Sequence, residues 1–467
     1  MLNPGQFERR VSATGMVALL GAFVFFGALS YWQIFRTDLA GKPGNPRILA
    51  EYRDPNRGRI LDREGNVLAE SLPDGTRRYT DASVAHALGY IDPRYGSQGA
   101  ELAFNGYLSG EKAASWKQAF NTELLRDPER GLDVRLTLDP AIQSAATQAL
   151  GGRTGAVIAL DPKSGEVLAM LSVPTYDPGA LEDNGEALLA DPLSPLLNRA
   201  TQGNYPPGST FKTLTAASAL EHGVIEPDTT VTCPGEIVVE GFPISCSNVP
   251  QGIGTYPFRD AFTYSVNAIF GQVGVDLGWP ALIETSRKLG FGAPLDFTLE
   301  TAPTQLFNDG DDLSKPLLAS TAFGQGELLA TPLQMAVVAA AIANDGVLMR
   351  PHIGLAAYDG TRKAANIEQP SGRRVLDAGV AAIMRDFMVS VIDNGQANGV
   401  AIDGVKVGGK TGTAESGTPG LSHAWFIAFA PADDPVIAVA VVVEDGGQGG
   451  VVASPIAGEV IRAALAR

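Results

Sequence analysis

The chain has 467 residues, 45% of them hydrophobic and 18% charged, with a formal net charge of −16, 2 cysteines and 4 histidines. That length leaves room for two or three domains with a sizeable core, and the acidic balance excludes the basic stripe that a nucleic-acid partner requires. None of the histidines falls at ligand spacing, so neither a structural zinc nor a resident cofactor is expected.

Residues 11–35 are almost continuously apolar and uncharged, long enough to span a bilayer as one helix. Arg9 and Arg10 precede them, which keeps the tail, residues 1–10, cytoplasmic and sends the remainder outward as a single-pass, membrane-anchored protein. Tyr31 and Trp32 sit where an aromatic belt would form. A cleavable signal peptide competes, with Ala28-Leu29-Ser30 as a loose cleavage site, but the apolar run is long for a signal core. Residues 36–56 form a polar linker.

Residues 57–150 carry short strand-like and helical runs and are expected to form a small N-terminal pedestal. Strands are predicted at 59–61 and 134–138, and a helix to Leu150 with Asp139 as its cap and Pro140 in its first position. Glu101 and Arg59 are candidates for holding this unit together. Beyond it, residues 156–159 and 167–171 alternate as a hairpin around 162–165. Cys233 and Cys246 lie in a Gly/Pro-rich loop and can form a disulfide outside the cytoplasm, or remain two thiols. Residues 437–443 are wholly apolar, as a buried central strand requires; 446–450 reads as a flexible loop and 454–466 as a closing helix.

Chemistry concentrates in three short motifs. Pro-Gly-Ser-Thr-Phe-Lys at 207–212 places Ser209 and Lys212 three residues apart at the start of a helix predicted over 209–222, with Gly223 at its C-cap. Side chains at i and i+3 share a helix face, so a weak nucleophile comes within reach of a base. Ser265-Val266-Asn267 and Lys410-Thr411-Gly412-Thr413 follow, in that order. Seen singly, these would be a capped helix, a loop turn and a surface hairpin. Together and in order they match the Ser-x-x-Lys, Ser-x-Asn and Lys-Thr-Gly set of serine acyltransferases.

With these motifs the chain resembles the class B penicillin-binding proteins, monofunctional peptidoglycan D,D-transpeptidases, in a compact actinobacterial form. The resemblance extends through GAVIALDPKSGEVLAM (155–170), Asn198-Arg199-Ala200, Gly324-Gln325-Gly326, TPLQM (331–335) and AWFIAFAP (424–431). Before the catalytic region, RGRILDREGNVLA (57–69), Gly99-Ala100-Glu101 and LTLDPAIQ (136–143) match the family's N-terminal module. It implies an α/β (α+β) serine transpeptidase fold over 151–467: an antiparallel sheet packed between helices, plus an all-α subdomain. It also implies stem peptides ending in D-Ala-D-Ala as donor, an amine as acceptor, and β-lactams as acylating ligands. The stretch before Ser209 is too short for a glycosyltransferase domain, so a membrane-embedded glycan polymerase is the expected partner.

The resemblance assigns roles. Ser209 attacks the penultimate carbonyl; Lys212, desolvated and beside the cation of Lys410, is its base; Ser265 bridges the lysines and passes a proton to the leaving amine; Asn267 holds Lys212 and the substrate amide. Gly408, Gly409 and Gly412 strip bulk from an edge strand on which a peptide can lie. Lys410, Thr411, Gly412 and Thr413 bind the terminal carboxylate, and the N–H groups of Ser209 and Thr413 form the oxyanion hole. Trp425 and Phe426 are read as core, Glu327 as support for the rim, and His423 as a polar strand-end residue. A D,D-carboxypeptidase, or a non-catalytic muropeptide-binding scaffold or sensor, are the alternatives. A β-lactamase is disfavoured, since no deacylating glutamate–water element is evident.

Overall fold

Alternating β-branched and small apolar residues give Ile437–Val443 a strand in which every residue is buried, as a sheet covered on both faces demands. It is the centre of a five-stranded antiparallel sheet ordered Gly408–Glu415, Ser422–Ala430, Ile437–Val443, Gly155–Leu160 and Val167–Val173. The last two strands are the expected hairpin, slightly longer than the sequence pattern suggests. A computed structural model describes residues 52–111, 130–246, 253–310, 312–395 and 397–467, together with Met16, Gly21 and Phe25. Apart from those three residues, the apolar segment 11–35 lies outside the described residues; among the described ones no helix is long and apolar enough to cross a membrane.

Helices Pro332–Ala343 and Gly449–Leu465 pack on the sheet. The closing helix thus starts five residues before the predicted Ser454 and absorbs part of the loop expected at 446–450. The reason is a close approach: a Cβ on Gly449 would lie 2.1 Å from the carbonyl oxygen of Trp425 and 2.3 Å from that of Gly412, so only glycine can begin a helix there. A second group of helices, Phe258–Thr263, Asn267–Lys288, Lys315–Ala322 and Ala378–Asn394, gathers around Lys212–Glu221. Asn267–Lys288 is broken at Gly278 (φ +78), just before Pro280.

The N-terminal module is built on a six-stranded sheet, ordered Arg362–Asn366, Gly354–Asp359, Asp133–Leu136, Ile60–Leu61, Val67–Ser71 and Arg77–Tyr79. Two of its strands therefore come from beyond residue 350, a pairing no local pattern announces. Asp133–Leu136 is one residue earlier at its start and two shorter at its end than the predicted strand. The helix Pro140–Leu150 begins as predicted: the Asp139 carboxylate accepts from Ala141 N–H (3.0 Å) and Ile142 N–H (3.1 Å). It packs, however, against the closing helix and the strand Val167–Val173 rather than on the six-stranded sheet. Gln143 there pairs with the strand's open edge, donating to Met170 O (3.1 Å) and accepting from Met170 N–H (2.9 Å).

Glu101 is wholly buried between Arg57 (2.8 Å) and Arg77 (2.7 Å). Burial pushes its carboxyl up, but Arg77 and Arg57 outweigh burial and leave it below its usual value. Arg59, the other residue expected to hold this unit together, pairs with Asp133 (2.6 Å). Removing one member of a buried ion set strands the others. Glu101→Ala is therefore expected to lower stability by about 3–5 kcal/mol, read as a shift of the denaturant midpoint; a shift below about 1 kcal/mol would count against a structural role for the triad.

Candidate active site

Gly208 takes φ +53, a left-handed value that a regular α-helix start does not allow. In consequence the chain enters through a 3-10 turn, Gly208–Phe211, before the α-helix Lys212–Glu221; the helix expected over 209–222 has this tighter first turn. The Thr210 hydroxyl donates to Pro207 O at 2.6 Å and closes the turn. Ser209 is half-buried at its tip, while Lys212, one turn on, is fully buried.

Ser265 occupies the three-residue joint between Phe258–Thr263 and Asn267–Lys288. It is held at φ +62, a conformation that costs a non-glycine residue about 1–3 kcal/mol and persists only when its surroundings impose it. Here they do: Ser265 N–H donates to Phe262 O (3.1 Å) and Val266 N–H to Ala261 O (3.0 Å). The bend turns both oxygens of Ser265 toward Lys212. Lys212 Nζ lies 2.7 Å from Ser265 O, 3.0 Å from Ser265 Oγ and 2.6 Å from Asn267 Oδ1. Lys410 Nζ reaches the same hydroxyl from the other side, 3.0 Å from Ser265 Oγ, and also donates to Thr411 O (3.1 Å).

Two amine-bearing chains thus meet at one hydroxyl, both wholly buried. The Phe270 ring lies 5.4 Å from Lys212 Nζ and the Phe262 ring 5.8 Å from Lys410 Nζ. Sequence reasoning did not single out these two rings; the available signal was their spacing, three residues before Ser265 and three after Asn267. Burial, with the Lys410 charge added, pushes Lys212 well below the ordinary lysine range. Burial alone brings Lys410 down to about 7.

Gly408–Glu415 is the edge strand of the five-stranded sheet, paired on one side with Ser422–Ala430. Strand alternation buries Lys410, Gly412 and Ala414 and leaves Thr411 half-buried and Thr413 exposed. The strand touches the nucleophile turn main chain to main chain: a Cβ on Gly412 would sit 2.8 Å from Pro207 O, and one on Gly208 2.9 Å from Thr413 O. Lys212, Ser265, Asn267 and Lys410 therefore meet in one buried cluster, and the turn that carries Ser209 packs against the strand that carries Thr413.

The remaining candidates behave as packing. Trp425 and Phe426 are fully buried. Glu327 accepts from Asn308 Nδ2 at 2.7 Å on the exposed rim. His423 Nδ1 accepts from Asp445 N–H at 3.2 Å, and its ring meets Tyr205 edge-on at 5.3 Å. A cluster the sequence did not disclose lies behind the turn: Glu444 Oε1 receives Arg199 Nε and Tyr205 OH, each at 2.7 Å, tying the approach to Ser209 to the end of the central strand. Cys233 and Cys246 are joined as a disulfide, with Cα atoms 6.1 Å apart.

Comparison with known proteins agrees with this geometry. Residues 155–462 match the penicillin binding protein transpeptidase domain. The chain belongs to this family. Residues 57–134 match the penicillin binding protein A dimerisation domain. The peptidoglycan D,D-transpeptidases PbpA of Mycolicibacterium smegmatis and Mycobacterium tuberculosis are each 37% identical, over 98% of this chain and 98% of theirs. The ceftriaxone acyl-enzyme complex of penicillin-binding protein A from M. tuberculosis superposes with a TM-score of 0.81 at 34% identity, covering 89% of this chain and 100% of that one.

With Lys212 taken as the acylation base, its depressed pKa places the acid limb of the rate profile well below the range of a solvated lysine. Lys410→Met removes a neighbouring positive charge, which raises the pKa of Lys212. The acid limb of penicillin acylation should then move to higher pH. A limb that stays in place or moves down in stopped-flow acylation assays would rule out charge coupling between the two lysines.

Proposed function

We propose that the protein is a serine-type peptidoglycan D,D-transpeptidase that cross-links stem peptides through an acyl-enzyme on Ser209 and is acylated there by β-lactams. The observation that carries this reading is the shared hydroxyl of Ser265, 3.0 Å from both Lys212 Nζ and Lys410 Nζ in a buried cleft beside Ser209.

Hydrogen-bond counting supports a division of labour. A neutral amine has two N–H donors and one lone pair. Around Lys212, Ser265 O and Asn267 Oδ1 can only accept, so they take the two N–H bonds. That leaves the lone pair for a hydroxyl proton. That proton comes from Ser209; once Lys212 carries it, Ser265 Oγ can accept from Lys212 and from the Lys410 ammonium while passing its own proton on, so the three groups form a relay. Lys212 takes the Ser209 proton as Oγ bonds to the penultimate D-Ala carbonyl carbon. The peptide C–N bond then breaks, the departing D-alanine amine takes a proton through Ser265, and the acyl-enzyme remains. In the second half an acceptor amine attacks the ester, gives up a proton along the same relay and releases Ser209. The N–H groups of Ser209 and Thr413 would hold the oxyanion in both halves, each contributing about 3–4 kcal/mol.

The open edge of Gly408–Glu415 suits an extended peptide added as a further strand, with Lys410, Thr411, Gly412 and Thr413 at the terminal carboxylate. Neither matched module polymerises glycan, and we take the strands to be made by a separate membrane-embedded polymerase. Residues 11–35 would anchor the protein with residues 1–10 cytoplasmic and the catalytic region outside.

Ser209→Ala should abolish covalent labelling by a fluorescent penicillin while the protein unfolds as cooperatively as the parent; persistent labelling would remove Ser209 as nucleophile. Ser265→Ala, with the nucleophile intact, should slow acylation by about 10²–10⁴-fold. With a D-Ala-D-Ala donor and a free amine acceptor, the product should be the cross-linked peptide; a product consisting only of the shortened donor would point to carboxypeptidase activity.

A further inference from the structure

The peptide group joining Gly208 to Ser209 is clamped from two directions, and glycine is required on both. A Cβ on Gly208 would meet Thr413 O at 2.9 Å, on the Lys-Thr-Gly strand. A second close approach comes from Gly324, just past the helix Lys315–Ala322. A Cβ on Gly324 would fall 1.7 Å from the Gly208 carbonyl oxygen and 2.3 Å from its carbon, inside bonding range of the main chain itself. Gly324 also takes φ +93, a value that L side chains rarely adopt. Its own backbone is fixed as a helix end: Gly324 N–H donates to Thr321 O and Gln325 N–H to Ser320 O, both at 2.9 Å. The same helix end is tied to Lys212–Glu221, since the Thr215 hydroxyl donates to Ala322 O at 2.7 Å.

We propose that Gly324 is a positioning residue for the oxyanion hole: by seating against the Gly208 carbonyl it sets the plane of the Gly208–Ser209 peptide, and so the direction of the Ser209 N–H. The argument is one of rigid geometry. Among the described residues the cis peptide bonds are Val173–Pro174 and Ala430–Pro431, so the Gly208–Ser209 bond is trans. A trans peptide is planar, with its C=O and N–H pointing in opposite directions. Whatever holds the carbonyl therefore aims the N–H. A side chain at 324 would force that carbonyl aside, rotate the plane and swing the donor off the developing oxyanion. Gly324 touches no reacting atom in this account; it acts through the main chain of Ser209. The inference rests on Ser209 N–H being an oxyanion donor, as proposed above.

Gly326 supplies the control. It shares the loop and the left-handed backbone (φ +75), but a Cβ there would first meet the movable Ser320 hydroxyl, at 3.0 Å. Gly326→Ala thus adds comparable backbone strain without striking the Gly208 carbonyl. Stopped-flow acylation by a chromogenic cephalosporin separates the acylation constant at saturation from the dissociation constant of the preceding complex. For Gly324→Ala the acylation constant should fall about 10²–10³-fold, the effect of losing one oxyanion donor, with the dissociation constant nearly unchanged. For Gly326→Ala both should stay within about tenfold of the parent. Equal losses in the two variants, or a Gly324→Ala constant within tenfold of the parent, would overturn the proposal.

If Gly324→Ala lacks a cooperative unfolding transition, Thr215→Val is the decisive variant. It frees Ala322 O, and with it the helix end, from the helix Lys212–Glu221 and should lower the acylation constant several-fold without weakening initial binding; an unchanged constant overturns the proposal as well. Ser209→Ala, run alongside, tells this failure from a failure of the functional reading. Covalent labelling that survives Ser209→Ala removes the nucleophile, whereas labelling lost in Ser209→Ala and normal in Gly324→Ala removes only the role of Gly324.

Discussion

Two buried lysines sharing one serine hydroxyl are the constraint around which the catalytic half of this protein is arranged. Desolvating one ammonium is expensive, and placing a second beside it adds repulsion, so the pair exists only because the surrounding fold leaves neither amine room to escape. Each wall of the cleft comes from a different part of the chain. The Lys212–Glu221 helix presents one amine, the edge strand Gly408–Glu415 the other, and the joint before Asn267–Lys288 presents the hydroxyl between them. Ser265 is strained in that joint, and the strain is what lets one residue offer both its carbonyl and its hydroxyl to Lys212. The instability of the isolated parts and the reactivity of the assembled site have the same origin.

The sheet gives the site a strand edge. Its centre is covered and apolar, while the Lys-Thr-Gly strand lies at an edge whose outer N–H and C=O groups have no neighbouring strand among the described residues. An unpaired edge is an aggregation hazard in most proteins. In the function proposed above it is also the surface on which an extended peptide docks, and Thr413 is exposed along it. The Arg199–Glu444–Tyr205 cluster acts from behind, linking the chain just before the nucleophile to the end of the central strand. The N-terminal module is interleaved with this scaffold rather than strung ahead of it, because Gly354–Asp359 and Arg362–Asn366 complete its sheet.

What could be read from the sequence was what is local. The Ser-x-x-Lys turn, the Asp139 cap, the hairpin over 155–173 and the apolar strand 437–443 each declare themselves within a short stretch of chain, through spacing, capping or alternation. What could not be read depends on partners far along the chain. Arg362–Asn366, mostly exposed and rich in charge, carries no strand signal of its own and is defined by the neighbour it pairs with. Arg59 and Glu101 could be picked out by charge, but not their partners: Arg57 and Arg77 take Glu101, and Asp133 takes Arg59. The closing helix began early for the same kind of reason: Gly449 and Gly450 look like a loop in one dimension and become a helix start where two carbonyls crowd them.

That last error points to a general feature of this site. Its motifs contain chemically active side chains, but the glycines among them carry a different sort of information. Gly412 records the approach of Pro207 O, Gly208 that of Thr413 O, and Gly449 that of Gly412 O. These contacts form a connected series of main-chain approaches, from the closing helix through the edge strand to the nucleophile turn, with Gly324 on its far flank. Main-chain groups are rigid over the span of a peptide plane, whereas a lysine or serine side chain can change rotamer. A reaction that stabilises an oxyanion with backbone N–H groups therefore gains most from fixing the main chain itself. Glycine is the residue that permits such fixing, because any Cβ would hold the approaching strands apart.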